Sequence, residues 1–185
     1  MKILVFNGAP ESSPKSTAGL ITNYIVERVR YLGAIPQVFN VKQSGVPLLD
    51  LNNENIPEAA LQMNRIFCEA DLHIWLTPLY HGGMTGLMKN CIDWLECSAK
   101  NKAPYLSGKL IGLICWAEGG QAMQGINAMD AVAKSLRAWT APLNIPVKRS
   151  ELFDDKGEID VFYCDRINLL LNILVQGPNK IRDLA

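Results

Sequence analysis

Thr77-Pro78-Leu79-Tyr80-His81-Gly82-Gly83-Met84-Thr85-Gly86-Leu87-Met88-Lys89-Asn90-Cys91-Ile92-Asp93-Trp94-Leu95 decides how this chain is read. An apolar run, Leu72 to Leu76, precedes it and reads as a buried strand. At Pro78 the pattern breaks into a loop of small residues, then resumes at helical spacing through Leu87, Cys91 and Leu95. A strand that ends in a Pro/Tyr/Gly loop and feeds a helix leaves bare backbone N–H groups at the carboxyl edge of a sheet. Open α/β sheets bind their ligands at that edge.

Working outward, Lys2 to Phe6 is a short β-rich run closed by the turn cluster Asn7-Gly8-Ala9-Pro10. Leu20, Ile21, Tyr24, Ile25, Val29 and Leu32 then mark one face of a helix that stops at Gly33. Pro36 to Val41 predicts a second strand, Ala59 to Ala70 a second helix, Asp71 to Leu76 a third strand and Leu87 to Ser98 a third helix. Lys109 to Trp116 is apolar almost throughout, as a strand buried on both faces would be. Ala122 to Trp139 predicts a fourth helix, Pro142 to Val147 contains an edge-like fifth strand, and Asp160 to Gln176 is a closing helix. Strict alternation of apolar strands with helices predicts an α/β fold, a three-layer α/β/α sandwich around a five-stranded parallel sheet. The matching doubly wound order is 2-1-3-4-5, the flavodoxin-like one, with its switch point between strands one and three. The two most loop-like strand ends, at Gly8 and Tyr80, belong to those two strands.

The chain has 185 residues, enough for one domain over 1–185 with a single sizeable core. Lys+Arg and Asp+Glu balance at 18 each, which argues against nucleic-acid or membrane partners, since both need a clustered basic excess. Five cysteines are odd in number and form no CxxC pair, so no metal site is expected. They read as buried free thiols of a cytoplasmic protein. The apolar start, Ile3 to Phe6, is too short for a signal-peptide core.

Three loops carry the chemistry. In the first, Lys15-Ser16-Thr17 stands at a predicted helix start, where unpaired N–H donors and a partial positive charge welcome an anion. Ser16 or Thr17 serves equally as a plain N-cap, and the two readings stand level. There is no GxGxxG and no GxxxxGK[ST]. In the second, Pro78 to Gly83, Tyr80 and His81 offer flat surfaces beside glycines that let backbone approach a planar ligand. His73, inside a strand, reads as a structural histidine, and Lys89 with Asp93 as a helix-surface ion pair. In the third, Ala117 to Gln121, a double glycine again meets a helix start, with Glu118 beside it. No nucleophile–base–orienter set stands out and there is no GxSxG, so the cradle suits a planar phosphorylated cofactor that carries the chemistry itself.

From Met1 to about Val147 the residues resemble the NADPH-dependent FMN reductase family of the flavodoxin-like superfamily. The specific segment is Pro78-Leu79-Tyr80-His81-Gly82-Gly83 with Gly86-Leu87-Met88-Lys89-Asn90 and Ile92-Asp93-Trp94-Leu95, similar to the family's P-x-Y-x-(small)-x-x-x-G-x-x-K-N-x-x-D-(aromatic) signature. The resemblance implies that Pro78, Leu79, Tyr80, His81 and Gly82 wrap the isoalloxazine ring. It places Ser16 and Thr17, with Lys15 and Ala18, at the FMN phosphate and Glu118, Gly119 and Gly120 in the third FMN loop. Gly8-Ala9-Pro10 stands where the family often has Gly-Ser-x-Arg, leaving Lys15 as a looser substitute for that arginine, and Glu11 to Pro14 are extra residues. The function implied is an FMN-dependent NAD(P)H oxidoreductase passing hydride to FMN and on to a small-molecule acceptor, with no catalytic side chain named. It implies a homodimer or homotetramer. An FMN-binding electron carrier or flavin sensor without NAD(P)H turnover is the alternative, and a flavin-free member of the fold is the third reading.

Overall fold

A computed structural model describes residues 1–177 except 12, 51, 53 and 54; the first-loop residue Ser12 and the end of the expected 1–185 domain therefore lie outside the described residues. Strand β1 (Lys2–Asn7) pairs in parallel with β2 (Ile35–Asn40) on one side and with β3 (Leu72–Pro78) on the other. β3 pairs in turn with β4 (Leu110–Ala117), and the sheet order is 2-1-3-4-5. The expected flavodoxin-like topology is the observed one.

Alternation along each central strand builds the three layers. Ile3, Val5, Ile74, Leu76, Ile114 and Trp116 face one way and pack against helices α1 (Thr17–Tyr31) and α5 (Val161–Gln176). Leu4, Phe6, Trp75, Leu113 and Cys115 face the other, against α2 (Glu58–Glu69), α3 (Gly86–Asp93) and α4 (Ala122–Ser135). Phe6 anchors that second layer, with Phe67 edge-on at 4.8 Å and Trp75 edge-on at 5.9 Å.

The fifth strand corrects the sequence reading. Helix α4 stops at Ser135 and the chain reverses at Arg137, whose φ is 66°, so Trp139 is not helical. β5 (Trp139–Thr140) pairs with Leu110–Ile111, and β6 (Ile145–Lys148) resumes the same edge against Ile114–Ala117. Between them the ladder is bridged by a side chain, Leu113 N–H donating to Asn144 Oδ1 at 3.2 Å. The strand expected within Pro142 to Val147 is β6, and the extra piece, β5, falls where the fourth helix was expected to continue; Pro142 lies in the gap between them. Helix α3 is also shorter than the Leu87–Ser98 expectation, tightening into a 3-10 turn over Trp94–Ser98.

Two polar side chains of the α3 signature face inward. Asn90 donates to Pro47 O at 2.8 Å and accepts from Leu49 N at 2.9 Å, while Trp94 Nε1 donates to the same Pro47 carbonyl at 2.8 Å. They tie the segment after β2 to α3 and the turn that follows it. Lys89 and Asp93 form the expected surface ion pair at 2.5 Å. His73 is structural: Nε2 meets Phe67 O at 3.0 Å, and burial pushes its pKa down to about 3. All five cysteines are free, and among the described residues no helix is long and apolar enough to cross a membrane.

Candidate cofactor site

At the carboxyl edge of β1, β3 and β4 the chain leaves the sheet three times, and the three exits enclose one cleft. Pro78, Trp116 and Ala117, the last residues of β3 and β4, form its floor. Ala9, Pro10 and Glu11 from the first loop, with Thr17 and Ala18 of α1, form one wall. Leu79 and Tyr80 form the other, and Glu118 with Arg149 closes the mouth.

The first and second loops are clasped together. Thr85 caps α3 by accepting from Met88 N at 3.1 Å, and its hydroxyl donates to Gly8 O at 2.6 Å across the switch point. A Cβ on Gly8 would lie 2.4 Å from Met88 Sδ, so the close approach of the two loops requires glycine there. Past the clasp, Tyr80 and Gly83 exchange backbone hydrogen bonds at 3.0 and 3.1 Å around His81 (φ 50°) and Gly82 (φ 85°). Positive φ at both central residues is the mark of a tight primed hairpin turn. It presents Tyr80 half exposed at the cleft.

Ser16 is the N-cap of α1: its Oγ accepts from Gly19 N at 3.1 Å and donates to Ser13 O at 2.7 Å. The capping alternative is thus the observed one for Ser16. Among the described residues, the N–H groups of Thr17 and Ala18 have no acceptor, and both residues line the cleft. They carry the donors and the partial charge of a helix start into the site.

Of the residues expected from sequence, Thr17, Ala18, Pro78, Leu79, Tyr80 and Glu118 are brought together in the cleft. Lys15 is exposed and does not line it, and Ser16, His81, Gly82, Gly119 and Gly120 stand outside its lining, in the loops that form it. Sequence reasoning named no role for Ala9, Pro10, Glu11, Trp116 or Arg149, and gave Ala117 only as the start of the third loop. Arg149 follows β6, at the same carboxyl edge as the other strand ends, but no motif in the sequence singles it out. Arg149 Nε donates to Thr17 Oγ1 at 3.2 Å, and its Nη1 pairs with Glu118.

Among the described residues, no nucleophile stands ready in the cleft. Cys115, on β4 just behind Leu79, is buried with its thiol pushed up to about 12 by desolvation, so it is no thiolate near neutral pH. Among the described residues no cluster of His, Cys, Asp and Glu could hold a metal ion. The site can bind a flat, anionic ligand along backbone and small side chains.

Similarity agrees with this geometry. The chain is 29% identical over 154 residues to the NADPH-dependent FMN reductase ArsH of Acidithiobacillus ferrooxidans, which covers 82% of this chain and 63% of that protein. It is 26% identical over 137 residues to an NADPH azoreductase of a Bacillus species, covering 74% of this chain and 68% of that one. It therefore spans somewhat under two thirds of the length of the first of these relatives. The flavoenzyme NAD(P)H:(acceptor) oxidoreductase FerB from Paracoccus denitrificans shares its fold, with a TM-score of 0.76 at 14% identity over 95% of both chains. An FMN-dependent NADH-azoreductase of Bacillus anthracis, solved in complex with FMN, superposes with a TM-score of 0.65 at 12% identity over 95% of this chain and 99% of the other. The profile of the NADPH-dependent FMN reductases matches residues 1–154, most of the length, and the chain belongs to that family.

Proposed function

We propose that this protein is an NAD(P)H-dependent flavoprotein oxidoreductase that binds FMN in the cleft between the first, second and third loops. The observation that carries the reading is the helix start. Thr17 and Ala18 bring unpaired N–H donors into a cleft whose opposite wall is the Tyr80 turn. The donor set fits FMN: an anion at one end, and at the other a slot walled by Pro78, Leu79 and Tyr80, floored by Trp116 and Ala117, with the small Ala9 and Ala18 facing it.

Thr17 and Ala18 would take the phosphate, and Pro78 to Gly82 the ring. Bound FMN supplies the hydride-accepting ring. The chain's own contribution is positional: Thr85 fixes the two loops relative to each other, and Tyr80 offers an exposed aromatic face beside the ring. Free N–H groups of the third loop, Glu118 to Gly120, would polarise the ring edge. No side chain is required as acid or base. The mouth, spanned only by the exposed Arg149–Glu118 pair, would admit a nicotinamide donor first and a small-molecule acceptor afterwards. Relatives and neighbours are named azoreductase, quinone reductase and FMN reductase, which supports azo compounds, quinones or FMN as acceptor classes. Neutral net charge with no clustered basic excess suits a cytoplasmic enzyme acting on small molecules. Exposed Leu87 on α3 and Met123 on α4, 42% and 49% accessible, support a homodimer or homotetramer joined along these helices.

The test is an anaerobic visible spectrum of FMN-reconstituted protein before and after NADPH, then NADH. Prompt bleaching is expected, and the faster donor is the preferred one. Flavin that binds but stays oxidised with both would make the protein a carrier or sensor, and failure to retain flavin would remove the cleft reading.

A further inference from the structure

We propose that Arg149, from the far end of the chain, is the cation that binds the phosphate monoester of the flavin, and that Glu118 holds its guanidinium in waiting until the phosphate displaces it. This rests on the reading that the cleft takes FMN. Arg149 is the one cation lining the cleft among the described residues, and Lys15, the first loop's cation, stands exposed outside it. Its Nε lies 3.2 Å from the Thr17 hydroxyl, directly at the helix start whose N–H groups are unpaired. A phosphate seated on Thr17 and Ala18 therefore meets the guanidinium without any movement of the backbone.

The guanidinium has five N–H donors in a planar fork suited to phosphate oxygens. Thr17 and Glu118 engage two of its nitrogens, Nε and Nη1. The ion pair with Glu118 is weakly held, because the two side chains are 52% and 76% exposed and water screens them. A dianionic phosphate, backed by the helix start, outcompetes a screened carboxylate for the same donors. Glu11 also faces Arg149 electrostatically, as does Tyr80. With Glu11 and Glu118 at the mouth, a cleft stripped of Arg149 would repel the phosphate, so the arginine both attracts the ligand and cancels that repulsion.

Phosphate monoesters occur on the flavin and on the 2′ position of an NADPH donor. The contact with Thr17, at the start of α1, assigns Arg149 to the flavin.

The experiment titrates the full chain with FMN and with riboflavin, which lacks the phosphate, following flavin fluorescence. Wild type is compared with Arg149→Ala, Arg149→Lys and Glu118→Gln; both positions are exposed, so the core is untouched. Arg149→Ala should lose about tenfold to a hundredfold in FMN affinity, the range of a hydrogen bond to a charged group, with riboflavin affinity unchanged. Arg149→Lys should restore part of the loss. Glu118→Gln should tighten FMN a few-fold and leave riboflavin alone. Equal losses for both flavins, or none for either, would overturn the proposal. So would a change confined to NADPH-over-NADH discrimination at an unchanged FMN/riboflavin ratio. A wild-type chain that binds neither flavin removes the FMN reading and this proposal together. A wild type that binds FMN no better than Arg149→Ala removes this proposal alone.

Discussion

Gly125→Ala tests how tightly the wall of the cleft is packed from behind. Gly125 is buried on α4, and a Cβ there would lie 2.4 Å from Cys115 Sγ and 3.2 Å from Leu79 Cδ1. Ordinary heavy-atom contact is roughly 3.5–4.0 Å, so α4 or β4 must yield by about 1 Å. Cys115 is a fully buried residue on a central strand and has little room to do so. Overpacking of this kind costs about 1–3 kcal/mol, and replacing a helical glycine by alanine returns about 1 kcal/mol. The expected net loss is up to about 2 kcal/mol, read as a lower urea midpoint at unchanged m-value. Removing the obstructing sulfur supplies the control. Cys115→Ala alone should cost about 1 kcal/mol as a small cavity, yet in Cys115→Ala/Gly125→Ala the new methyl fills that cavity. The double variant should therefore be more stable than the sum of the single ones predicts by about 1–2 kcal/mol. Additivity, or a stabilising Gly125→Ala, would refute the packing argument.

Thr85→Val should lose about 2–3 kcal/mol, since it removes the α3 cap and leaves Gly8 O without its buried donor; a smaller effect in urea melts would mean that water replaces the hydroxyl. Gly82→Val forces a branched residue to a φ of 85° and should cost about 1–2 kcal/mol and weaken flavin binding, whereas His81→Asn, at a φ of 50° that asparagine accepts, should cost nothing; equal effects in thermal melts would sink the turn assignment. His73 gives the pH dependence. Its folded pKa of about 3 lies below the ordinary 6.5, so the unfolded chain binds the proton more readily, and stability is full above pH 6.5 and falls as the pH drops towards 3. The loss from this one group should reach about 2 kcal/mol by pH 5, and urea midpoints that stay level between pH 7 and 5 would show that the imidazole is not held neutral.

The parts of the fold that sequence disclosed are those specified locally. β4 announces itself because burial on both faces demands a near-continuous apolar run, and Tyr80 to Gly83 because a tight reversal needs residues that tolerate positive φ. The end of α4 has no such marker. Leu136-Arg137-Ala138-Trp139 keeps a helical composition; a left-handed turn at Arg137, closed locally by Ala138 N donating to Ala133 O, ends the helix, and a long-range bond from Trp139 N to Lys109 O, just before β4, commits the next residues to the sheet. Tertiary pairing there overrides local propensity. The site divides in the same way. Thr17, Tyr80 and Glu118 are legible because each stands where a strand gives way to a helix. Arg149 is not, because its contact with Thr17 joins positions 132 apart in the chain. Ser16 shows the opposite limit: a hydroxyl at a helix start suits a ligand and a cap alike, and only the distance to Gly19 N assigns it to the cap.

The cleft is thus assembled from two kinds of joint, and their difference bears on how a ligand enters. The clasp between the first two loops is buried and already complete: Gly8 receives Thr85, donates to Leu76 O at 2.8 Å and packs against Met88, with Asn7 Oδ1 accepting from Ala9 N at 2.9 Å behind it. Buried hydrogen bonds whose partners have no access to water are costly to break, so this side of the slot is held in shape before anything binds. The joint across the mouth, Arg149 to Glu118, is exposed and cheap to exchange. A ligand that had to open the clasp would lose affinity to the reorganisation. One that only swaps a carboxylate for its own phosphate does not, and on the proposed reading this sets the rigid side against the ring and the yielding side against the charge.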